Sequence, residues 1–188
     1  MMFDVPLFLL VSVSAVGAIT FAVPGQVRGL VGRRNDITVP IHLVMAGAAI
    51  QQSLIAVGLA AAGTAAAPRS GLGAPWFEAV SSGYGLGWRE MVLQLPAALA
   101  VGGASSVVFL VLYYRVFRPR MVAGDAQRIE EFRTSMGPMG RVLMGGVAEE
   151  VMFRWGVMSV LAWISIVALG LPEGLGMWLA IVVAGLLF

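Results

Sequence analysis

The stretch at residues 91–114, MVLQLPAALAVGGASSVVFLVLYY, contains no charged residue. A helix of about 20 apolar residues crosses the roughly 30 Å hydrocarbon core of a bilayer, so this stretch is long enough to span a membrane. Residues 5–23 and 39–63 meet the same requirement. The whole chain is 59% hydrophobic and only 12% charged, which excludes an ordinary soluble domain. The sequence therefore predicts an all-α, polytopic bundle of transmembrane helices.

Two further apolar segments follow. Residues 138–170 predict a fourth span, and a fifth helix is predicted to open near Leu175 and to run to Phe188 over 14 apolar residues. At 1.5 Å per residue that segment reaches only about 21 Å. We therefore expect about four complete spans plus a truncated fifth, in a chain that is a fragment of a longer protein. A re-entrant or partly inserted terminal helix is the alternative.

We treat residues 1–188 as a single membrane domain. Residues 118–137 form the predicted connector between the third and fourth spans, within which residues 125–136 can make an amphipathic helix at the membrane surface. The aromatic residues Trp76 and Phe77, between the second and third spans, predict an interfacial hairpin, with a substrate-gating loop as the alternative.

The placement of the basic residues predicts the orientation. All 12 are arginines, and they concentrate in the first and third loops. The positive-inside rule puts those loops in the cytoplasm, so we expect an integral, multi-pass protein of a bacterial cytoplasmic membrane. Membrane lipid is an expected partner, and nucleic acid is not, because the arginines lack interleaved exposed aromatic residues. The loop arginines are Arg28, Arg33, Arg34, Arg115, Arg118, Arg120, Arg128 and Arg133.

The fourth span contains the sequence VAEEVMFR at residues 147–154. Each ionisable side chain at mid-bilayer costs roughly 2.5–3.5 kcal/mol, so these three require mutual pairing or a water-filled cavity. Arg154 follows Glu150 by four residues and falls on the same helix side, where it can neutralise Glu150. Glu149 is left less compensated and is the candidate general base. A Glu–Arg pair that only specifies helix packing is the structural alternative.

The run from Glu149 to Arg154 resembles the EExxxR signature of the CPBP family of intramembrane proteases, which includes the type II CAAX prenyl endopeptidases and bacteriocin-processing members. The resemblance covers residues 138–188, the start of the CPBP-like catalytic core. It implies that Glu149 activates water and that Glu150 and Arg154 organise the catalytic site. Trp155 stands where the family commonly has a glycine, and Phe188 resembles the first residue of the family's FxxxH motif. The histidine of that motif, and the later HxxxN or HxxxD motif, would lie beyond this chain.

No cofactor is required by such a glutamate mechanism, although the family is often described as metalloprotease. Zinc remains an alternative, but its usual three or so protein ligands are not in this chain. The chain has no cysteine and one histidine, His42, which we interpret as an interfacial or packing residue. Gln51, Gln52 and the pair 105–106 are the other polar residues within spans. Interhelical hydrogen bonds are the favoured interpretation for them, and contact of the glutamines with a cavity is the alternative.

The resemblance implies a peptidase that hydrolyses a peptide bond in a membrane-associated protein or peptide, such as a prenylated tail or a leader peptide. The fragment alone is expected to be inactive. Two other functions stay open. One is an ion- or proton-coupled transporter in which Glu149 binds the coupling ion, with Pro96 and the glycines at 102–103 interrupting the third span. The other is a noncatalytic membrane scaffold.

Overall fold

The computed structural model describes residues 3–31, 39–83 and 87–187, and the regular structure in these ranges is helical throughout. No strand occurs in these ranges, so the all-α prediction is confirmed. Arg33, Arg34 and Phe188 lie outside the described residues. The α-helices are α1 (Val5–Val31), α2 (Ile41–Ala66), α3 (Pro75–Ser81), α4 (Trp88–Leu112), α5 (Ala123–Ser135), α6 (Gly137–Leu143), α7 (Ser159–Trp163) and α8 (Glu173–Leu187).

Within the described ranges, four helical stretches are long and apolar enough to cross a membrane, which indicates a membrane protein. They are Val5–Leu30, Ile41–Arg69, Met91–Arg120 and Gly137–Ala168. Helices satisfy their backbone hydrogen bonds internally, which hydrocarbon demands of any spanning segment. A shorter apolar helix, Glu173–Leu187, follows the fourth span. The prediction of four full-length helices and a shorter fifth is confirmed.

The fourth span is not the regular α-helix that the sequence pattern predicts over residues 138–170. It begins with α6, continues as a π-helix over Met144–Met158, returns to α-helix in α7 and ends with a π-helical turn at Ile164–Ala168. A π-helix closes hydrogen bonds between residues five apart, is uncommon, and is often found at functional sites. Glu149, Glu150 and Arg154 all lie within the longer π-helical segment.

The bundle core lies between α1, α2 and the fourth span. Val11, Ile19 and Val23 of α1 are among its largest fully buried side chains. Alanines of α2 and of the fourth span complete the core, and small residues allow close approach of helices in a membrane. Where α2 meets the fourth span, a Cβ atom on Gly156 would lie only 2.7 Å from Leu59 Cβ. The two helices are therefore in contact nearly backbone to backbone.

α5 forms where the amphipathic pattern at residues 125–136 predicts a helix. It ends against α1, since a Cβ atom on Gly25 would lie 2.8 Å from Met136 Cα. The chain then turns into α6 at Gly137, which has a φ of +67°. A side chain with a Cβ rarely adopts this conformation, so glycine permits the sharp corner between connector and fourth span.

α3 packs against this core, whereas α4 is largely exposed. α3 follows a turn at the end of α2 and packs against α1, with Phe77 against the core. The Ala74 N–H donates a 2.7 Å hydrogen bond to Glu78 Oε1 at the start of α3. In contrast, α4 is exposed along residues 92–112. It runs unbroken through Pro96 and the glycines at 102–103, so the interruption that a transporter interpretation would use is absent from this described helix.

Candidate functional site

Glu150 and Arg154 form an ion pair on the fourth span. Arg154 Nε lies 3.1 Å from Glu150 Oε2, and the two side chains are 74% and 43% exposed. The predicted pairing at a separation of four residues is confirmed. These exposed fractions show that the ion pair lies at the surface of the fourth span and is not buried in the bundle core.

Glu149 points elsewhere. Its side chain is partly exposed and makes no ion pair within the described residues. Its Oε2 atom turns back over Gly145, since a Cβ atom on that glycine would lie 3.6 Å from it. The missing side chain at Gly145 therefore leaves room for the Glu149 carboxylate. Gly156 instead packs against Leu59 of α2.

Two cavities flank the ion pair. The first, cavity I, has a volume of about 420 Å³ and lies between α1, the segment that leads into α3, and the fourth span. The second, cavity II, has a volume of about 290 Å³ and lies between the fourth span and α8. Glu150, Arg154 and Met158 line both cavities. Glu149 lines cavity II and is not among the residues that line cavity I.

Small residues of α8 line one side of cavity II. Ala184 and Gly185 line it opposite the glutamates, together with Ile181. Small side chains at these positions leave room next to Glu149 for water or for part of a substrate. A carboxylate without its own cation, beside a cavity, can take a proton from a water molecule or bind a proton or cation.

Glu149 and Glu150 do not by themselves form a zinc site. The described residues contain no cluster of three His, Cys, Asp or Glu side chains, whereas zinc usually takes about three protein ligands. His42 is exposed at the start of α2 and lines neither cavity. Glu149 and Glu150 together supply only two of the roughly three protein ligands that zinc usually takes.

Gln51, Gln52 and Ser106, the other polar residues considered within the spans, line neither cavity. Gln51 is exposed, and Gln52 Oε1 is buried without a hydrogen-bond partner among the described residues. Ser106 Oγ donates to Gly102 O at 2.7 Å, inside its own helix. Within the described residues, the expected interhelical hydrogen bond is therefore not made by Gln52 Oε1, and the Ser106 hydroxyl donates inside its own helix instead.

Comparisons of the chain with protein-family models, with curated proteins and with solved structures find no match.

Trp155 is a site residue whose contacts with α2 are not indicated by any sequence pattern. Its Nε1–H donates a 3.2 Å hydrogen bond to Thr64 Oγ1 of α2, and Gly63 lies directly against its backbone. This contact sets the position of α2 relative to the helix turn that follows Arg154. Trp155 and Thr64 are 91 residues apart, so no local sequence pattern connects them.

Proposed function

We propose that the chain carries the glutamate motif of an intramembrane endopeptidase of the CPBP type, in a bacterial cytoplasmic membrane. The enzyme hydrolyses a peptide bond of a membrane-associated protein or peptide. The observation that carries the proposal is the division of the two carboxylates. Arg154 pairs with Glu150, whereas Glu149 has no cation among the described residues and lines a cavity next to the pair.

In the proposed reaction, a water molecule in cavity II gives a proton to the Glu149 carboxylate while its oxygen attacks the carbonyl carbon of the scissile bond. The C–N bond then breaks, and the proton passes from Glu149 to the leaving amine. Glu150 and Arg154 orient the site through their ion pair. The family resemblance implies additional histidines that assist and an Asn or Asp that stabilises the oxyanion. His42 lines neither cavity and is not assigned such a role.

The test compares two isosteric variants in the protein expressed from its complete natural reading frame, in bilayer nanodiscs. The substrates are a quenched fluorescent farnesylated peptide and a quenched leader-type peptide. Positioned acid–base groups contribute about 10²–10⁴-fold, so we expect Glu149→Gln to lose at least roughly 100-fold in turnover. Glu173→Gln, at the exposed start of α8, is the matched control and retains activity. Undiminished turnover in Glu149→Gln would remove Glu149 from the mechanism.

The transporter alternative makes a different prediction for the same variants. If Glu149 binds a coupling ion, the wild-type protein hydrolyses neither peptide, and Glu149→Gln abolishes ion-driven uptake into proteoliposomes instead. The scaffold alternative predicts no effect of Glu149→Gln in either assay.

A further inference from the structure

We propose that cavity I binds an extended apolar peptide segment of the substrate, and that the Ser159 hydroxyl hydrogen-bonds to the backbone of that segment. This inference rests on the proposed endopeptidase function, because it names the part of the substrate that cavity I receives. Its ligand is a peptide with apolar side chains, and cavity I would contribute to the choice of the bond to be cleaved.

The dimensions and walls of cavity I suit such a ligand. Its volume of about 420 Å³ lies in the range of small-ligand sites, which are mostly apolar with a few placed polar groups. Val11 of α1, Trp76 and Phe77 of α3, and Val151 and Trp155 of the fourth span supply apolar walls. The three walls come from separate helices, so the cavity is part of the tertiary fold.

A buried hydroxyl distinguishes a peptide from a lipid chain as the occupant. Ser159 lines cavity I, is only 1% exposed, and its Oγ has no hydrogen-bond partner among the described residues. A buried polar group without a partner is costly and is rare in folded proteins. Hydrocarbon has no atom that can satisfy the hydroxyl, whereas every residue of an extended peptide carries an N–H and a C=O. The hydroxyl therefore favours a peptide.

The position of cavity I relative to Glu149 supports the same occupant. The two cavities share Glu150, Arg154 and Met158, so a segment bound in cavity I lies next to the ion pair. The next part of an extended chain would then enter cavity II, where Glu149 lies. A substrate peptide can occupy both cavities at once, with apolar residues in cavity I and the scissile bond in cavity II.

The experiment uses cysteine reporters, which the chain favours because it contains no cysteine. Gly146 lines cavity I and Gly185 lines cavity II, and a Cβ atom at either position meets nothing within 4 Å. Gly146→Cys and Gly185→Cys are therefore matched reporters, one in each cavity. Both are placed in a Glu149→Gln background, so that hydrolysis cannot consume the probe. The readout is the rate of N-ethylmaleimide labelling in nanodiscs, with acetyl-Leu-Leu-Phe-amide as the probe.

The peptide should slow the labelling of Gly146→Cys several-fold and should affect Gly185→Cys much less. Adding Ser159→Ala to the Gly146→Cys reporter should raise the half-protecting peptide concentration roughly fivefold, the effect of one neutral hydrogen bond. Ser165→Ala is the matched control, since Ser165 is also buried on the same span and does not line cavity I. n-Decane, an apolar chain without amides, should protect no more strongly in the wild-type Ser159 protein than in Ser159→Ala.

Absence of peptide protection at Gly146→Cys would overturn the proposal. Protection by n-decane equal to that by the peptide, with no effect of Ser159→Ala, would also overturn it and would assign the cavity to lipid. Because labelling reports binding and not turnover, the two proposals fail separately. Peptide protection in a protein whose wild type hydrolyses no peptide would refute the endopeptidase and leave the binding site in place.

Discussion

Gly63→Ala should destabilise the bundle at the contact that positions the glutamate-bearing span. A Cβ atom at residue 63 would lie 2.7 Å from Trp155 Cδ1 and 2.8 Å from the Trp155 carbonyl carbon, and it would also overlap the carbonyl oxygen. Because two of these atoms are backbone, a rotamer change of Trp155 cannot remove the clash. α2 and the fourth span would have to separate by roughly 0.7–1.3 Å to restore ordinary carbon contacts of about 3.5–4 Å.

Overpacking of this kind typically costs about 1–3 kcal/mol. Where a Cβ atom fits, alanine in a helix interior is more stable than glycine by about 0.5–1 kcal/mol. The difference in stability between a variant at a clashing position and one at a free position is therefore larger than the overpacking cost alone. Gly58→Ala is the matched control, because Gly58 lies in the same helix and a Cβ there meets nothing within 4 Å. We expect Gly58→Ala to be neutral or slightly stabilising and Gly63→Ala to be less stable by about 1–3 kcal/mol.

The assay is reversible unfolding of each variant in mixed micelles of increasing denaturing-detergent fraction, followed by tryptophan fluorescence. Separation of the two helices should also lengthen the hydrogen bond between Trp155 Nε1 and Thr64 Oγ1, now 3.2 Å, and change the emission of that indole. Equal stabilities of Gly63→Ala and Gly58→Ala would refute the close packing of α2 against the fourth span.

Two further predictions concern single interactions of the site. Arg154→Gln removes the cation from Glu150 and should lower the unfolding free energy by about 0.5–1 kcal/mol, a small value because both side chains are partly exposed. Adding Glu150→Gln should restore part of this loss. Strictly additive effects in this double-mutant cycle would contradict the pairing. Trp155→Phe removes the hydrogen bond to Thr64 and should lower the unfolding free energy by about 0.6 kcal/mol, the average for such bonds in membranes. Trp178 is 68% exposed on α8, so Trp178→Phe is the control and should show no loss in the same unfolding assay.

The helices of the spans were predictable from sequence because hydrocarbon imposes a strict local requirement. A spanning segment needs about 20 apolar residues and satisfies its own backbone, and both conditions can be seen within a window of adjacent residues. The pairing of Glu150 with Arg154 was predictable for the same reason, since positions four apart meet on one side of a helix. The corner at Gly137 also depends on a local property, the tolerance of glycine for positive φ.

Cavity I was not predictable, because its walls join parts of the chain with no local relationship. Val11, Trp76 and Trp155 come from three helices, and their meeting depends on how α3 folds back against α1. The π-helical backbone at Met144–Met158 was also missed. The hydrophobic periodicity of a lipid-embedded helix is weak, so it does not distinguish a hydrogen-bond step of four residues from one of five.

Glu149 and Glu150 are adjacent on the fourth span, yet their surroundings differ. Consecutive residues on any helix point in different directions, so this divergence does not depend on the π-helical geometry. The particular outcome here is that Glu150 lines both cavities and keeps its arginine, whereas Glu149 lines cavity II alone, opposite the small residues of α8. Bulkier residues at Ala184 and Gly185 would fill the space beside Glu149 without touching the ion pair. The access of water to Glu149 therefore depends on α8, and the charge balance of Glu150 depends on the fourth span itself.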